Sequence, residues 1–136
     1  MALSANRDLD HYVDQELRSF KVAAGAHIHK GGFVGLSVGG FARSLTAGDV
    51  FVGIAYEESD NASGAAGDIS VRVYTLGDFG HALGGAAISN TGDAVYASAD
   101  DTLTFTGTSN SYVGYAVDVP SSGQIILRLE TFKTAP

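Results

Sequence analysis

The sequence predicts an all-β protein, a single small β-barrel-like or sandwich domain preceded by an N-terminal arm. Three observations carry that reading. Beyond residue 21, short runs of β-branched and aromatic residues alternate with Gly, Asn, Asp and Ser clusters, at roughly the 8 to 12 residue rhythm of sandwiches and barrels. Glycine accounts for 18 of 136 residues while only 17% are charged, against usual shares of about 7% and about 25%; many glycines and few charges suit compact sheets with covered faces. Finally, one hairpin pattern is written twice. Phe51-Val52-Gly53-Ile54-Ala55 leads to Gly67-Asp68-Ile69-Ser70-Val71-Arg72-Val73, and Tyr112-Val113-Gly114-Tyr115-Ala116 leads to Gly123-Gln124-Ile125-Ile126-Leu127-Arg128-Leu129.

Taken in chain order, residues 1–21 read as the arm and 22–136 as the β-domain. Within the arm, Leu9, Val13, Leu17 and Phe20 recur at a three-to-four spacing that fits one face of a short helix, with Asp8 and Asp10 near its start. These four are the candidate contact residues, which either grip a neighbouring molecule or cover the domain's own core. Strands are expected over 21–24, 33–38, 50–56, 69–76, 94–99, 103–106, 112–118 and 124–132. In the last of these Ile125, Leu127, Leu129 and Thr131 share one face and Arg128 and Glu130 the other, so one face is core and one is wet. The turn sequence before the strand at Val50, Ala47-Gly48-Asp49, is echoed by Thr91-Gly92-Asp93 before Ala94. Gly53 and Gly114 would weaken ordinary strands, so their matched placement predicts tight bends or close backbone approach. If the echo is structural, Gly53 superposes on Gly114 and Arg72 on Arg128. Because the core strands are expected to start after the arm, removal of residues 1–20 is expected to leave the domain folded.

Composition narrows the function. The chain is long enough for one core. It contains no Cys, which removes disulfides, thiolate nucleophiles and thiolate zinc sites. Apolar runs are broken before the ~20 residues of a membrane helix, and the first ten residues lack a basic-then-apolar signal pattern; the expectation is a soluble, untargeted protein with no membrane partner. Lys plus Arg total 8 against 15 Asp plus Glu, a formal charge of −7, which argues against nucleic acid because phosphate binding needs a cationic surplus. The negative excess lies in the β-domain, leaving the arm nearly balanced.

Chemistry-bearing motifs are few. Gly35-Leu36-Ser37-Val38-Gly39 matches G-x-S-x-G, but no long helix follows to form the strand-turn-helix that exposes a nucleophile, so Ser37 reads as a strand residue between two glycines. His27 and His29 flank Ile28, a spacing that on a strand would put both imidazoles on one face and could begin a metal site; no third ligand stands nearby in sequence, and the pair reads as a solvated face. Glu57-Glu58-Ser59-Asp60-Asn61 and Asp100-Asp101 gather carboxylates without the alternating ligand loop of a calcium site. Gly39-Gly40 and Gly84-Gly85 lack the Gly-Lys-Ser/Thr ending of a phosphate loop and read as turns. Asn61-Ala62-Ser63 fits a glycosylation pattern without a secretory context. No catalytic residue, cofactor or metal is expected, and the sequence argues against an enzyme.

The order of segments is informative. Ala5-Asn6-Arg7 and Val22-Ala23-Ala24-Gly25 come first, then Val52-Gly53-Ile54-Ala55, Asp60-Asn61-Ala62-Ser63-Gly64-Ala65-Ala66-Gly67-Asp68 and Ile69-Ser70-Val71-Arg72-Val73. Gly92-Asp93-Ala94-Val95-Tyr96, Leu103-Thr104-Phe105-Thr106, Tyr112-Val113-Gly114-Tyr115-Ala116-Val117 and 125–129 follow. Together, over nearly the whole chain, they resemble the capsid cement, or head-decoration, proteins of tailed bacteriophages. The chain departs from that pattern between Asp8 and Phe20, where relatives look extended and proline-containing. The resemblance implies a β-barrel-like domain bound outside an expanded icosahedral capsid, commonly as trimers at local threefold positions, with the major capsid protein as partner and no catalysis. A phage tail or adhesin-type module is the alternative, marked by an exposed aromatic patch from Tyr56, Tyr74 or Tyr115. A hydrolase built on Ser37 is the third.

Overall fold

The structure is a computed structural model that describes residues 4–6 and 16–136. Among the described residues it contains twelve strands: β1 (Leu17–Lys21), β2 (His27–Ile28), β3 (Phe33–Leu36), β4 (Ala42–Ser44), β5 (Val50–Ala55), β6 (Ser59–Asp60), β7 (Ser70–Tyr74), β8 (Asp78–Ala82), β9 (Ala94–Ala99), β10 (Thr102–Thr104), β11 (Ser111–Ser121) and β12 (Gln124–Leu129). They form two five-stranded sheets, ordered β1-β7-β5-β3-β4 and β10-β9-β11-β12-β8, and a two-stranded lid of β2 and β6. Every strand pair is antiparallel. The sheets do not close into a barrel; of the two architectures expected, the sandwich is the one formed.

Two cores hold the layers. Phe33, Phe51 and Ile54 of the first sheet meet Val95, Val113, Ile125, Leu127 and Leu129 of the second to form the inter-sheet core. On the opposite face of the first sheet, Val34, Val52, Ala55, Val71 and Val73 pack with Val22, Ile28 and Ala42 beneath the lid. The first sheet is thus covered on both faces, which explains why five of the six residues of β5 are buried rather than every second one.

Two glycine bulges make this arrangement possible. As β3 advances from Val34 to Gly35 its partner moves from Gly53 to Phe51, leaving Val52 as an extra residue. Likewise β9 pairs Tyr96 with Tyr112 and Val95 with Gly114, leaving Val113 extra. Each extra residue reverses the in-out alternation beyond it. Phe51 and Ile54, three residues apart, therefore face the same inter-sheet core, as do Val113 and Ala116. Gly53 and Gly114 sit at φ 151° and 147°, and a Cβ on either would strike the opposing carbonyl oxygen, of Tyr74 and Arg128 respectively.

The internal echo is therefore geometric at the glycines but not at the arginines. The carbonyl that covers Gly53 belongs to Tyr74, two residues beyond Arg72, whereas the one covering Gly114 belongs to Arg128 itself. Superposing the glycines leaves the arginines two positions out of phase. The Gly-Asp turns also match, with Gly48 and Gly92 at φ 96° and 91°. The first opens β5, however, and the second opens β9, a neighbour of β11. The resemblance is one of turn and bulge chemistry, not of a duplicated unit.

Part of the arm differs from expectation. Leu9 and Val13 lie outside the described residues, but Leu17–Lys21 is the edge strand β1, paired with β7, and not the end of a helix. Leu17 pairs with Tyr74 and Phe20 with Val71, so the two fall on opposite faces of the sheet. A spacing of three suits a helix in isolation; the unpaired edge of β7 supplies the hydrogen-bonding partners that favour a strand. Removing residues 1–20 would take most of β1 with it.

Candidate functional site

Ser37 does not sit on a nucleophile elbow. The strand β3 stops at Leu36, and Ser37 opens a tight turn in which Gly40 N–H donates to the Ser37 carbonyl at 2.8 Å and Ser37 N–H to Phe41 at 2.8 Å. The glycine that opens the motif has a separate purpose. A Cβ on Gly35 would come within 2.6 Å of the Asp49 side chain, so its absence makes room for a carboxylate that is only 8% exposed. Asp49 accepts two hydrogen bonds from Arg43, at 3.0 and 2.7 Å, and one from Thr46 N–H at 3.1 Å. Asn61, the glycosylation match, is also internal: it is 3% exposed and its amide donates to the Ala23 and Ala65 carbonyls at 2.9 and 3.0 Å.

The lid brings together residues distant in sequence. β2 and β6 pair His27 with Asp60 and the buried Ile28 with the buried Ser59, which turns His27, His29, Glu58 and Asp60 outward. His27 Nε2 lies 2.7 Å from Glu58 Oε2, and His29 Nδ1 lies 3.9 Å from the same oxygen. The hydrogen bond to Glu58 raises the His27 pKa above its ordinary value. The carboxylate that sequence spacing did not supply thus arrives from the residue just before β6, 31 residues away. The one signal for it was the alternation of Glu58, Ser59 and Asp60, which places two acids on one face if that short segment is a strand.

The remaining surface is acidic, and three of its arginines are held in ion pairs. Besides Arg43, Arg72 holds Glu57 at 2.8 Å and Arg128 holds Asp78 at 2.7 Å. Hydrogen bonds from the Arg72 side chain and backbone lower the Glu57 carboxyl to about 2. Asp60, Asp68, Asp93, Asp100, Asp101 and Asp118 enter no ion pair among the described residues. Apolar side chains emerge at turn and chain-end positions: Val38 and Ile88 are fully or largely exposed, and Phe132, 53% exposed, stacks at 5.9 Å on Phe20 of β1. Tyr56 and Tyr74 meet edge to face at 5.4 Å and Tyr74 continues onto Phe79, beside a cleft of about 270 Å³ at the margin between the sheets. Arg72 lies over Tyr56 at 4.9 Å. Tyr115 pairs across from Arg128 on the second sheet, half-buried and apart from that group.

The family model of the phage cement proteins matches residues 13–129. The chain belongs to the phage cement protein family. No curated protein and no solved structure matches it. As a phage cement protein it is a structural component of the virion capsid, and the family's role is architectural rather than catalytic. That role suits the geometry, in which the part-buried Asp49–Arg43 pair and the buried Asn61 amide brace loops. The match begins inside the arm and takes in Val13, Leu17 and Phe20.

Proposed function

We propose that this cement protein binds the outside of the expanded capsid as a homotrimer and clamps neighbouring copies of the major capsid protein. The observation that carries the reading is the family match across 13–129. The N-terminal segment would make the contacts through Leu9, Val13, Leu17 and Phe20. Two features support that assignment. β1 is an edge strand and so lies at an open sheet margin. The charge excess lies elsewhere: residues 22–132 hold 4 basic and 11 acidic side chains, against 3 and 4 in residues 1–21. A nearly neutral, apolar-dotted segment gains more from docking than an acidic surface does, at ~1.5 to 3 kcal/mol for each large side chain fully covered. Three arms engaging together convert weak single contacts into a durable clamp by effective concentration, while the acidic body limits aggregation at high local density.

The test compares the intact protein with a variant lacking residues 1–15, which retains β1. Occupancy on expanded, undecorated heads is measured by quantitative cryo-electron microscopy, alongside the melting temperature and the sedimentation mass. The reading expects lower occupancy at an unchanged melting temperature, and a trimeric mass for the intact protein when bound or concentrated. Unchanged occupancy removes Leu9 and Val13 from the clamp.

A further inference from the structure

The outer face of the lid carries a set of groups that the proposed clamp does not use. The imidazoles of His27 and His29 lie side by side with ring centroids 4.3 Å apart. Their donor atoms and a Glu58 oxygen all fall within 4.8 Å of one another. A tetrahedral zinc ion with bonds of about 2.0–2.1 Å needs neighbouring donors roughly 3.3 Å apart. The 2.7 Å and 3.9 Å separations from Glu58 to the two histidines bracket that value, and all three side chains are exposed enough to make the small rotations required. The backbone beneath them is fixed. Ile28 is fully buried between the two histidines, the His27 carbonyl accepts from Ser44 Oγ at 2.9 Å, and the His29 carbonyl accepts from Gly32 N–H at 3.1 Å.

We propose that His27, His29 and Glu58 form a binding site for a divalent transition metal of the zinc class. Two imidazoles and one carboxylate are an N₂O donor set that favours zinc, cobalt or nickel over calcium or magnesium, whose preferred ligands are all oxygen. Three protein ligands leave a fourth position open to water. Bound there, the ion joins the segment after Ile28 to the segment before Ser59. It thereby closes a lid whose two strands share just two residue pairs. The site is independent of the clamp: it shares no residue with the N-terminal segment and requires no capsid.

The experiment uses the full chain stripped with EDTA and dialysed against metal-free buffer. Titration calorimetry with zinc chloride is expected to give one ion per chain, and cobalt(II) the intense visible bands of a four-coordinate site. The melting temperature is expected to rise by several degrees with saturating zinc, because the ion binds the folded lid and not the unfolded chain. His27→Ala and His29→Ala should each weaken zinc binding at least a hundredfold, and Glu58→Gln at least tenfold; all three should melt like the intact protein without metal. His81→Ala, on β8, is the control and should bind as the intact protein does. Zinc affinity unchanged in Glu58→Gln would reduce the site to a bare histidine pair and overturn the proposal. So would equal loss in His81→Ala, or more than one weak ion per chain with octahedral cobalt spectra.

Discussion

Substituting Gly114 by Ala tests the bulge argument directly. At φ 147° the residue occupies a region that L side chains rarely adopt, a strain of about 1–3 kcal/mol. The new methyl group would also strike the Arg128 carbonyl oxygen and approach the Glu130 amide nitrogen at 3.2 Å. Both are backbone atoms of the opposing segment, so relief requires β11 and β12 to separate where Gly114 pairs with Leu129. Each ladder hydrogen bond lost there costs a further ~0.5–1.5 kcal/mol, and Leu129 is a buried member of the inter-sheet core. The total is roughly 3 kcal/mol or more, a large part of the ~5–15 kcal/mol that holds a domain folded. In a domain of this size that lowers the melting temperature by about 10 °C or more. Gly80→Ala is the matched control. It also lies in a strand, but its added methyl group would meet nothing closer than Ile126 Cδ1 at 3.9 Å, so stability should stay level or rise by ~0.4–1 kcal/mol. Urea denaturation measures both. A Gly114→Ala protein within ~1 kcal/mol of the parent, or a Gly80→Ala protein that loses as much, would refute the reasoning.

Three further outcomes follow from the same structure. Phe51, fully buried between the sheets, should cost about 3–5 kcal/mol on truncation to Ala, while Val38→Ala at its exposed turn should stay within ~0.5 kcal/mol by the same urea assay. Deleting residues 1–21 removes β1 and uncovers the outer edge of β7, so it should lower the melting temperature, in contrast to deletion of 1–15. The carboxyls of Asp78 and Glu130 are depressed by hydrogen bonds from Arg128 and from Tyr112 respectively. Folded values below the unfolded 3.8 and 4.5 mean their contribution is complete above those values and is lost as pH falls beneath them. The urea midpoint should fall on acidification below about pH 4.5, with a shallower slope in Asp78→Asn.

The fold was legible wherever side chains had a strong preference for the pleated, half-buried surface. Val50–Ala55, Ala94–Ala99 and Gln124–Leu129 announce themselves by β-branched and aromatic residues, and Gly53 and Gly114 by their matched positions. The strands that escaped notice are those stabilised by their neighbours. Asp78–Ala82, Ala42–Ser44 and Ser59–Asp60 contain few β-formers, and each becomes a strand because a paired segment offers it an edge. β1 was misread for the complementary reason: its helical spacing is a local signal, overridden by the open edge of β7. The same distinction holds for the site residues. His27 and His29 were visible because two residues on one strand share a face, whereas Glu58 joins them only through a pairing that spans the intervening first sheet.

That pairing is short, two residue pairs only, so the lid is held less firmly than the two large sheets. The inter-sheet core draws large side chains from both five-stranded sheets, whereas the second core is roofed by Ile28 and the turns around it. Much of what keeps the roof in place is polar: the Asn61 amide bridges the Ala23 and Ala65 carbonyls, and Ser59 Oγ donates to Ser70 at 3.1 Å. Such bonds contribute about 1 kcal/mol each, so the free energy holding the lid closed is small compared with that holding the two large sheets together. A contact on the outer face that joins β2 to the segment leading into β6 acts on the same equilibrium as the buried bonds beneath it. Occupancy at His27, His29 and Glu58 and protection of Val22, Val34 and Val52 from solvent are then two views of one closure.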